Sequence, residues 1–236
     1  MYKLYFFILC LIVCTACGKN YKIEGVSSDL SVDGKMLFIK VPVGNEWINV
    51  DSAEVIHGLF KMKGRIDSTM MAFLYMDDKC IMPFVFETGN IDINIISIEN
   101  AIFSVKGTTL NERFNTFLKK QFSLNERANE IERSEARMIL NGENPQKAHE
   151  EVQKRRTELS KEIDNAIKTF IQDNYENILG PWTFINVIYG LPYPIFTPSI
   201  KEIIDKAPDS FKNNPTIKEF IAEAHKNEDK LQASQP

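Results

Sequence analysis

The feature that most constrains the fold is a change of hydrophobic period at Gly107-Thr108-Thr109. From Tyr21 to Gly107 the chain is a series of short runs, YKIEGVS, KMLFIKVP, WINVDS, GLFKMKGRI, MMAFLYM, IMPFVFE, IDINIIS and AIFSVKG. Their alternating or continuous apolar pattern suits strands, and Val32-Asp33-Gly34, Gly44-Asn45, His57-Gly58, Asp77-Asp78 and Thr88-Gly89-Asn90 supply the turn chemistry. The expectation for 21–107 is an antiparallel β-sandwich or barrel of about eight strands. After Thr109 the spacing becomes three and four, at Leu110, Phe114, Phe117, Leu118, Leu124, Ala128 and Ile131. Asn141-Gly142 and Pro145 interrupt it, and Ala148, Val152, Leu159, Ile163, Ala166 and Phe170 resume it to about Asn174. Two long antiparallel helices follow from this. Beyond them Pro181 suits a helix start, Gly190-Leu191-Pro192 a stop, Thr197 a cap before Pro198, and Asn214-Pro215 a further start, which predicts three shorter helices. The fold class is therefore α+β, with a helical region over 108–226 and a polar, flexible tail over 227–236. Gly107-Thr108-Thr109 leaves almost no spacer, so the two halves are expected to form one structural unit.

The N-terminus has a separate logic. Residues 1–16, MYKLYFFILCLIVCTA, carry one charge, Lys3, before an apolar run too short for a permanent membrane span of about 20 residues. The run ends in Thr15-Ala16-Cys17-Gly18, small residues followed by a thiol. This resembles the lipobox of bacterial lipoproteins, with Cys14 standing where that family prefers Leu. The resemblance implies a signal peptide over 1–16, lipid attachment (thioether-linked diacylglycerol, palmitate-type acyl chains) at Cys17, and a short tether over 17–20. A plain secretory signal and an uncleaved anchor helix are the alternatives.

Of four cysteines, Cys10 and Cys14 leave with the signal and Cys17 is lipidated, so Cys80 is the one remaining thiol and no intrachain disulfide is expected. Cys80 opens an apolar strand, which favours burial, with a reactive role as the alternative. The formal net charge of −4 becomes about −5 once Lys3 is lost, and it is spread along the chain, which argues against a nucleic-acid partner. Between Asn111 and Asn174, 12 acidic and 12 basic residues interleave, so the run Lys154-Arg155-Arg156 reads as part of a solvated helix surface.

No constellation of catalytic residues emerges. Ser52 and His57 lack a third partner and an oxyanion hole at this spacing. His57, His149 and His225 lie far apart in sequence, without metal-ligand companions. Asp77-Asp78 lacks the alternating ligands of a calcium loop, Glu150-Glu151 belongs to a charged helix, and no glycine loop suits phosphate. No enzyme, metal or cofactor is expected. Gly58, Gly64, Gly89 and Gly107 suit turns or close backbone approach, Asp51 an Asx turn, and Phe60 an inward position.

The order Tyr21-x-Ile23-x-Gly25, Asp51-Ser52, Gly58-x-Phe60-x-x-x-Gly64, Phe86-Glu87-x-Gly89-Asn90-Ile91 and Val105-Lys106-Gly107-Thr108 resembles the domain of unknown function 4369 of Bacteroidota envelope lipoproteins, over roughly 21–110. In many relatives that domain and a helical segment precede a thioredoxin-like domain of the alkyl-hydroperoxide-reductase or thiol-disulfide-oxidoreductase type, and Asn177-x-x-Gly180 resembles the lead-in to it. Such redox chemistry needs a Cys-x-x-Cys pair, and the one at that spacing, Cys14-Thr15-Ala16-Cys17, is split by the expected cleavage before Cys17, so the activity is not expected to carry over. The resemblance implies a lipid-anchored envelope protein, facing the periplasm from the outer membrane, that binds or scaffolds an envelope protein or a small ligand. An accessory partner of a separate thioredoxin-fold protein is the alternative.

Overall fold

The computed structural model describes residues 19–44 and 46–233. The expected signal segment 1–16, Cys17, Gly18, Asn45 and residues 234–236 lie outside the described residues. Eight strands form in the places where the runs predict them: β1 (Asn20–Ser27), β2 (Met36–Val43), β3 (Glu46–Glu54), β4 (Leu59–Arg65), β5 (Met70–Met76), β6 (Lys79–Phe86), β7 (Gly89–Ser97) and β8 (Ile102–Lys106). They make two four-stranded sheets, ordered β4-β1-β7-β8 and β3-β2-β5-β6. One core lies between them. Ile23, Phe60, Ile91, Ile93 and Val105 enter it from the first sheet, and Leu37, Ile39, Leu74 and Phe84 from the second. This is a sandwich.

The expectation of an antiparallel sheet needs one correction, because β1 and β7 are parallel, with Tyr21 opposite Gly89 and Ser27 opposite Ile95. Parallel neighbours require a long crossover, and here the intervening strands of the opposite sheet supply it. The chain passes between sheets at the β3–β4 turn, where His57 and Gly58 both have positive φ, 52° and 73°. A Cβ at Gly58 would stand 2.6 Å from the Ser27 carbonyl oxygen, so the position admits only glycine without rearrangement. Asp51 does not close an Asx turn. It lies inside β3 beside a register shift, accepts the Tyr21 hydroxyl at 2.7 Å and accepts the Ser52 N–H at 2.8 Å. Burial first, and then this carboxylate, push the Tyr21 phenol pKa well above its ordinary value.

At Gly107 (φ 93°) the backbone turns sharply; a Cβ there would meet the Asn90 carbonyl oxygen at 2.3 Å. The turn delivers the chain into α1 (Thr109–Leu140), followed by α2 (Pro145–Gln172), α3 (Leu179–Tyr189), α4 (Pro198–Lys206), α5 (Asp209–Lys212) and α6 (Pro215–Ala233). Asn144 caps α2 by accepting the N–H groups of Gln146 and Lys147. The α1–α2 hairpin is antiparallel, with Leu124, Ala148, Val152 and Leu159 buried along it and Glu162 of α2 accepting from Lys120 and Arg127 of α1.

The end of α2 and helices α3 to α6 enclose a second core of Ile171, Phe184, Ile188, Ile200, Ile203, Phe211, Ile217 and Phe220. The side chains of Thr197 and Asn214 cap α4 and α6 as their spacing predicts. Helix α3 begins two residues before Pro181, because Asn177 Oδ1 accepts the Leu179 N–H at 3.0 Å and opens it. The tail expected to be flexible from Asn227 is helical through Ala233. Asn227 Nδ2 donates to the Pro194 carbonyl at 2.9 Å, and Lys226 pairs with Glu223 at 2.6 Å; the polar residues form the solvated side of a docked helix.

Lys168 of α2 and Lys206 of α4 both bond Glu202 and draw its pKa from 4.5 down to about 2. A depressed carboxylate stabilises the fold above its unfolded pKa and loses that contribution as pH falls through the folded one. The expected result is a loss of thermal stability between pH 4.5 and about 2 that is smaller in Glu202→Gln, read from melting curves across that window.

A third cluster joins the halves. Met71 of β5 and Val85 of β6, on the outer face of the second sheet, pack with Phe114 of α1 and Leu179 of α3, flanked by Phe117, Phe170 and Trp182. Phe114 meets Trp182 edge-on at 5.3 Å and Phe117 stacks on Phe170 at 3.9 Å.

Candidate functional site

A sheet edge presents unpaired N–H and C=O groups that something must satisfy or cover. On one side of this sandwich the two sheets end in β6 and β8, and α1 runs against both. It treats them differently.

At β6 the first turn of α1 closes the edge. Asn111 Oδ1 accepts the Val85 N–H at 2.9 Å, while its Nδ2 donates to the Val85 carbonyl at 2.8 Å and to Thr108 Oγ1 at 2.9 Å. Asn111 is fully buried. Its amide makes the pair of bonds that a residue of a neighbouring strand would make, so a single side chain stands in for a strand.

At β8 no strand pairs with the outer edge among the described residues. Instead a recess of about 570 Å³ lies between Ile102, Phe103 and Ser104 of β8 and Asn115, Leu118 and Phe122 of α1. The helix side repeats at steps of four and three, Asn111, Asn115, Leu118, Phe122 and Asn125, which places these residues along one stripe. Asn115 stands one turn beyond Asn111 and is only 6% exposed, yet its side chain makes no hydrogen bond among the described residues. Gln121 Nε2, also lining the recess, is buried without a partner. A buried polar group left unsatisfied, as Gln121 Nε2 is, costs about 1–3 kcal/mol. The rim is apolar: Ile96 is 47% exposed and Phe122 51%. Among the described residues the recess therefore offers an unpaired strand edge, a buried unsatisfied Gln121 Nε2, an Asn115 amide with no protein partner, and an apolar lip.

Residues singled out from the sequence stand elsewhere. Cys80 is exposed, contrary to the burial its apolar context favours. The register shift opposite Leu74 and Tyr75 turns it outward, and the thiol lies against Tyr75, where burial raises its pKa and the Tyr75 hydrogen bond partly offsets that rise. Beside it Trp47 packs on Phe73 and Tyr75, and Lys40 lies over the Tyr75 ring at 4.5 Å. His57 occupies the β3–β4 turn while Ser52 lies within β3, and no hydrogen bond joins them among the described residues. His149 contacts Glu135 at 3.1 Å on the hairpin surface, and His225 lies against Phe196. Asp77 takes the positive φ of the β5–β6 turn. Glu151 pairs with Arg155 at 2.8 Å, while Lys154 and Arg156 are exposed. Among the described residues no three His, Cys, Asp or Glu side chains gather as a metal site, and no helix is long and apolar enough to cross a membrane.

Asn111, Asn115 and Gln121 are absent from any reading of the sequence, because polar residues on a charged helix pass for solvated ones. The available signal was two Asn four apart, adjoining Leu110, Phe114 and Leu118 on the apolar side of the helix.

A family model described as "Domain of unknown function (DUF4369)" matches residues 21–114. The match takes in the sandwich and extends into α1 as far as Asn111 and Phe114, the residues that seal β6 and join the halves. Comparison with curated proteins gives no match.

Proposed function

We propose that the chain is a lipid-anchored binding or scaffolding module of the cell envelope, without catalytic activity of its own. The observation that carries the binding role is the recess beside β8, where, among the described residues, Gln121 Nε2 is buried without a partner and the 6% exposed Asn115 bonds no protein group, although a leucine at either position would cost nothing in hydrogen bonding. Unpartnered amides beside an open strand edge fit a site completed by a partner.

The anchor rests on the apolar run and the Thr15-Ala16-Cys17-Gly18 junction. Lys19 is fixed by two bonds: its carbonyl accepts the Ile66 N–H at 2.8 Å, and its ammonium donates to the Asp67 carbonyl at 2.9 Å. A lipid on Cys17 would then be joined to the fold by about 7 Å of chain, holding the starting end of β1 against the bilayer. Two or three acyl chains make such attachment durable. In this reading the protein faces the periplasm from the outer membrane, since Gly18-Lys19-Asn20 lacks acidic residues after the lipidated Cys.

Two measurements test the reading. Mass spectrometry of the membrane fraction should find a diacylglyceryl-modified N-terminus at Cys17, and Cys17→Ser should release the protein or leave its precursor unprocessed; an unmodified mature N-terminus elsewhere removes the anchor. A photoreactive residue at position 122 should give a discrete crosslinked product in intact envelopes, and one at exposed position 156 should not. Identical patterns from both positions remove the binding role of the recess.

A further inference from the structure

We infer that the recess beside β8 takes an extended peptide segment of a partner protein, added as a fifth strand to the β4-β1-β7-β8 sheet and held on its far side by the amides of Asn115 and Gln121. The inference deepens the binding-module reading and does not depend on the lipid anchor.

Three features of the site select this occupant. The first is the outer edge of β8, which has no strand partner among the described residues; its row of backbone groups is complementary to another backbone in extended form. The second is the amide pair facing that edge. Asn111, on the same helix one turn earlier, already shows what an α1 amide does beside a strand: it accepts from the N–H and donates to the C=O of Val85. Asn115 and Gln121 have the same chemistry, remain without partners, and stand across the recess from β8, so a strand entering between would satisfy β8 on one side and the two amides on the other. The third is the apolar lining, with Ile102 and Ile96 on the sheet side and Leu118 and Phe122 on the helix side. Side chains of an extended peptide project alternately to the two faces of the sheet, so apolar residues at alternate positions can use it.

The five residues of β8 set the length of the added segment at about 17 Å. An acyl chain would fill the apolar space but leave the strand edge unpaired, Gln121 Nε2 unsatisfied and the Asn115 amide cut off from water without a partner. A second copy pairing through its own β8 would have to seat the α1 that packs against that strand in the same narrow recess. A single extended chain avoids both faults.

The test is a selection of linear peptides from a displayed library against the purified full chain. Selected peptides are expected to carry apolar residues at alternate positions, to bind wild type saturably, and to slow amide hydrogen exchange at Ile102 to Lys106. Methylating alternate peptide nitrogens should abolish binding. Asn115→Leu should weaken it by about tenfold or more, as expected for lost backbone-reading hydrogen bonds, and Phe122→Ala supplies a second variant outside the buried helix seam. The inference is overturned if methylated and unmethylated peptides bind alike, if exchange at β8 is unchanged, or if the selection yields no binder. It is equally overturned if palmitate proves to be the occupant, binding saturably and protecting Phe122, or if the chain dimerises through β8. Should the photoreactive residue at 122 still give its discrete envelope product while peptides fail, strand addition is wrong and the binding module stands.

Discussion

Phe114→Asp is expected to abolish the strand and helix signals together on mild heating, in one transition far below that of the wild type. Phe114 is fully buried between Met71 and Val85 of the sheet and Leu179 and Trp182 of α3. Truncating a buried Phe costs about 3–5 kcal/mol, and forcing a carboxylate into that site adds a desolvation cost unless it stays protonated. A loss of that size is comparable with the whole stability of an ordinary domain, about 5–15 kcal/mol. Circular dichroism at strand- and helix-sensitive wavelengths, with residues 21–107 expressed alone as the control, gives the answer. If the isolated sandwich melts as it does in the intact protein, and the mutation leaves its transition in place, the third cluster does not couple the halves.

Asn111→Leu and Asn115→Leu should have effects of opposite sign, although the substitutions are alike and one helical turn apart. Removing the Asn111 amide strands the N–H and the C=O of Val85 in a buried interface. With about 1–3 kcal/mol for each of the two orphaned groups, the expected loss is about 2–6 kcal/mol, seen as a lower urea midpoint with an unchanged slope. Removing the Asn115 amide deletes a group with no partner to lose, so its midpoint should hold or rise. Equal destabilisation by both would mean that Asn115 is satisfied in solution, and would take away the ground for treating the recess as a binding site.

The elements were legible in the sequence because each is written locally. Alternating or continuous apolar runs marked the strands, the caps Thr197 and Asn214 marked two helix starts, and the spacing of Ala148, Val152 and Leu159 marked the hairpin seam. Pairing is not written locally. Nothing in the period of IDINIIS distinguishes a parallel from an antiparallel neighbour, so the β1–β7 pairing stayed hidden. Register shifts were equally opaque: those in the β2–β3 and β5–β6 pairs decide where Asp51 and Cys80 point, and neither is announced by a glycine. The tail misled because NEDKLQASQP has the composition of a frayed end, while one bond from Asn227 to Pro194 is a tertiary fact. The candidate site was hidden most deeply. Its residues matter through what faces them, and an asparagine against a strand edge has the same letter as one in water.

The placement of β1 has a consequence for how the molecule comes into being. The first strand among the described residues is an interior one, between β4 and β7, and Tyr21 and its parallel partner Gly89 are 68 positions apart. Bringing such distant points together costs about 4 kcal/mol on ideal-chain scaling before any contact repays it, and topologies rich in distant pairings fold slowly. A chain delivered from its N-terminus can form the β5–β6 hairpin early, but it cannot complete the first sheet until residues 89–97 have arrived. Until then one backbone edge of β1 stays open. The closure of β6 by Asn111 comes later still, so the nascent protein passes through a stage in which its stickiest edges are exposed together, and a holding chaperone would have its greatest effect there.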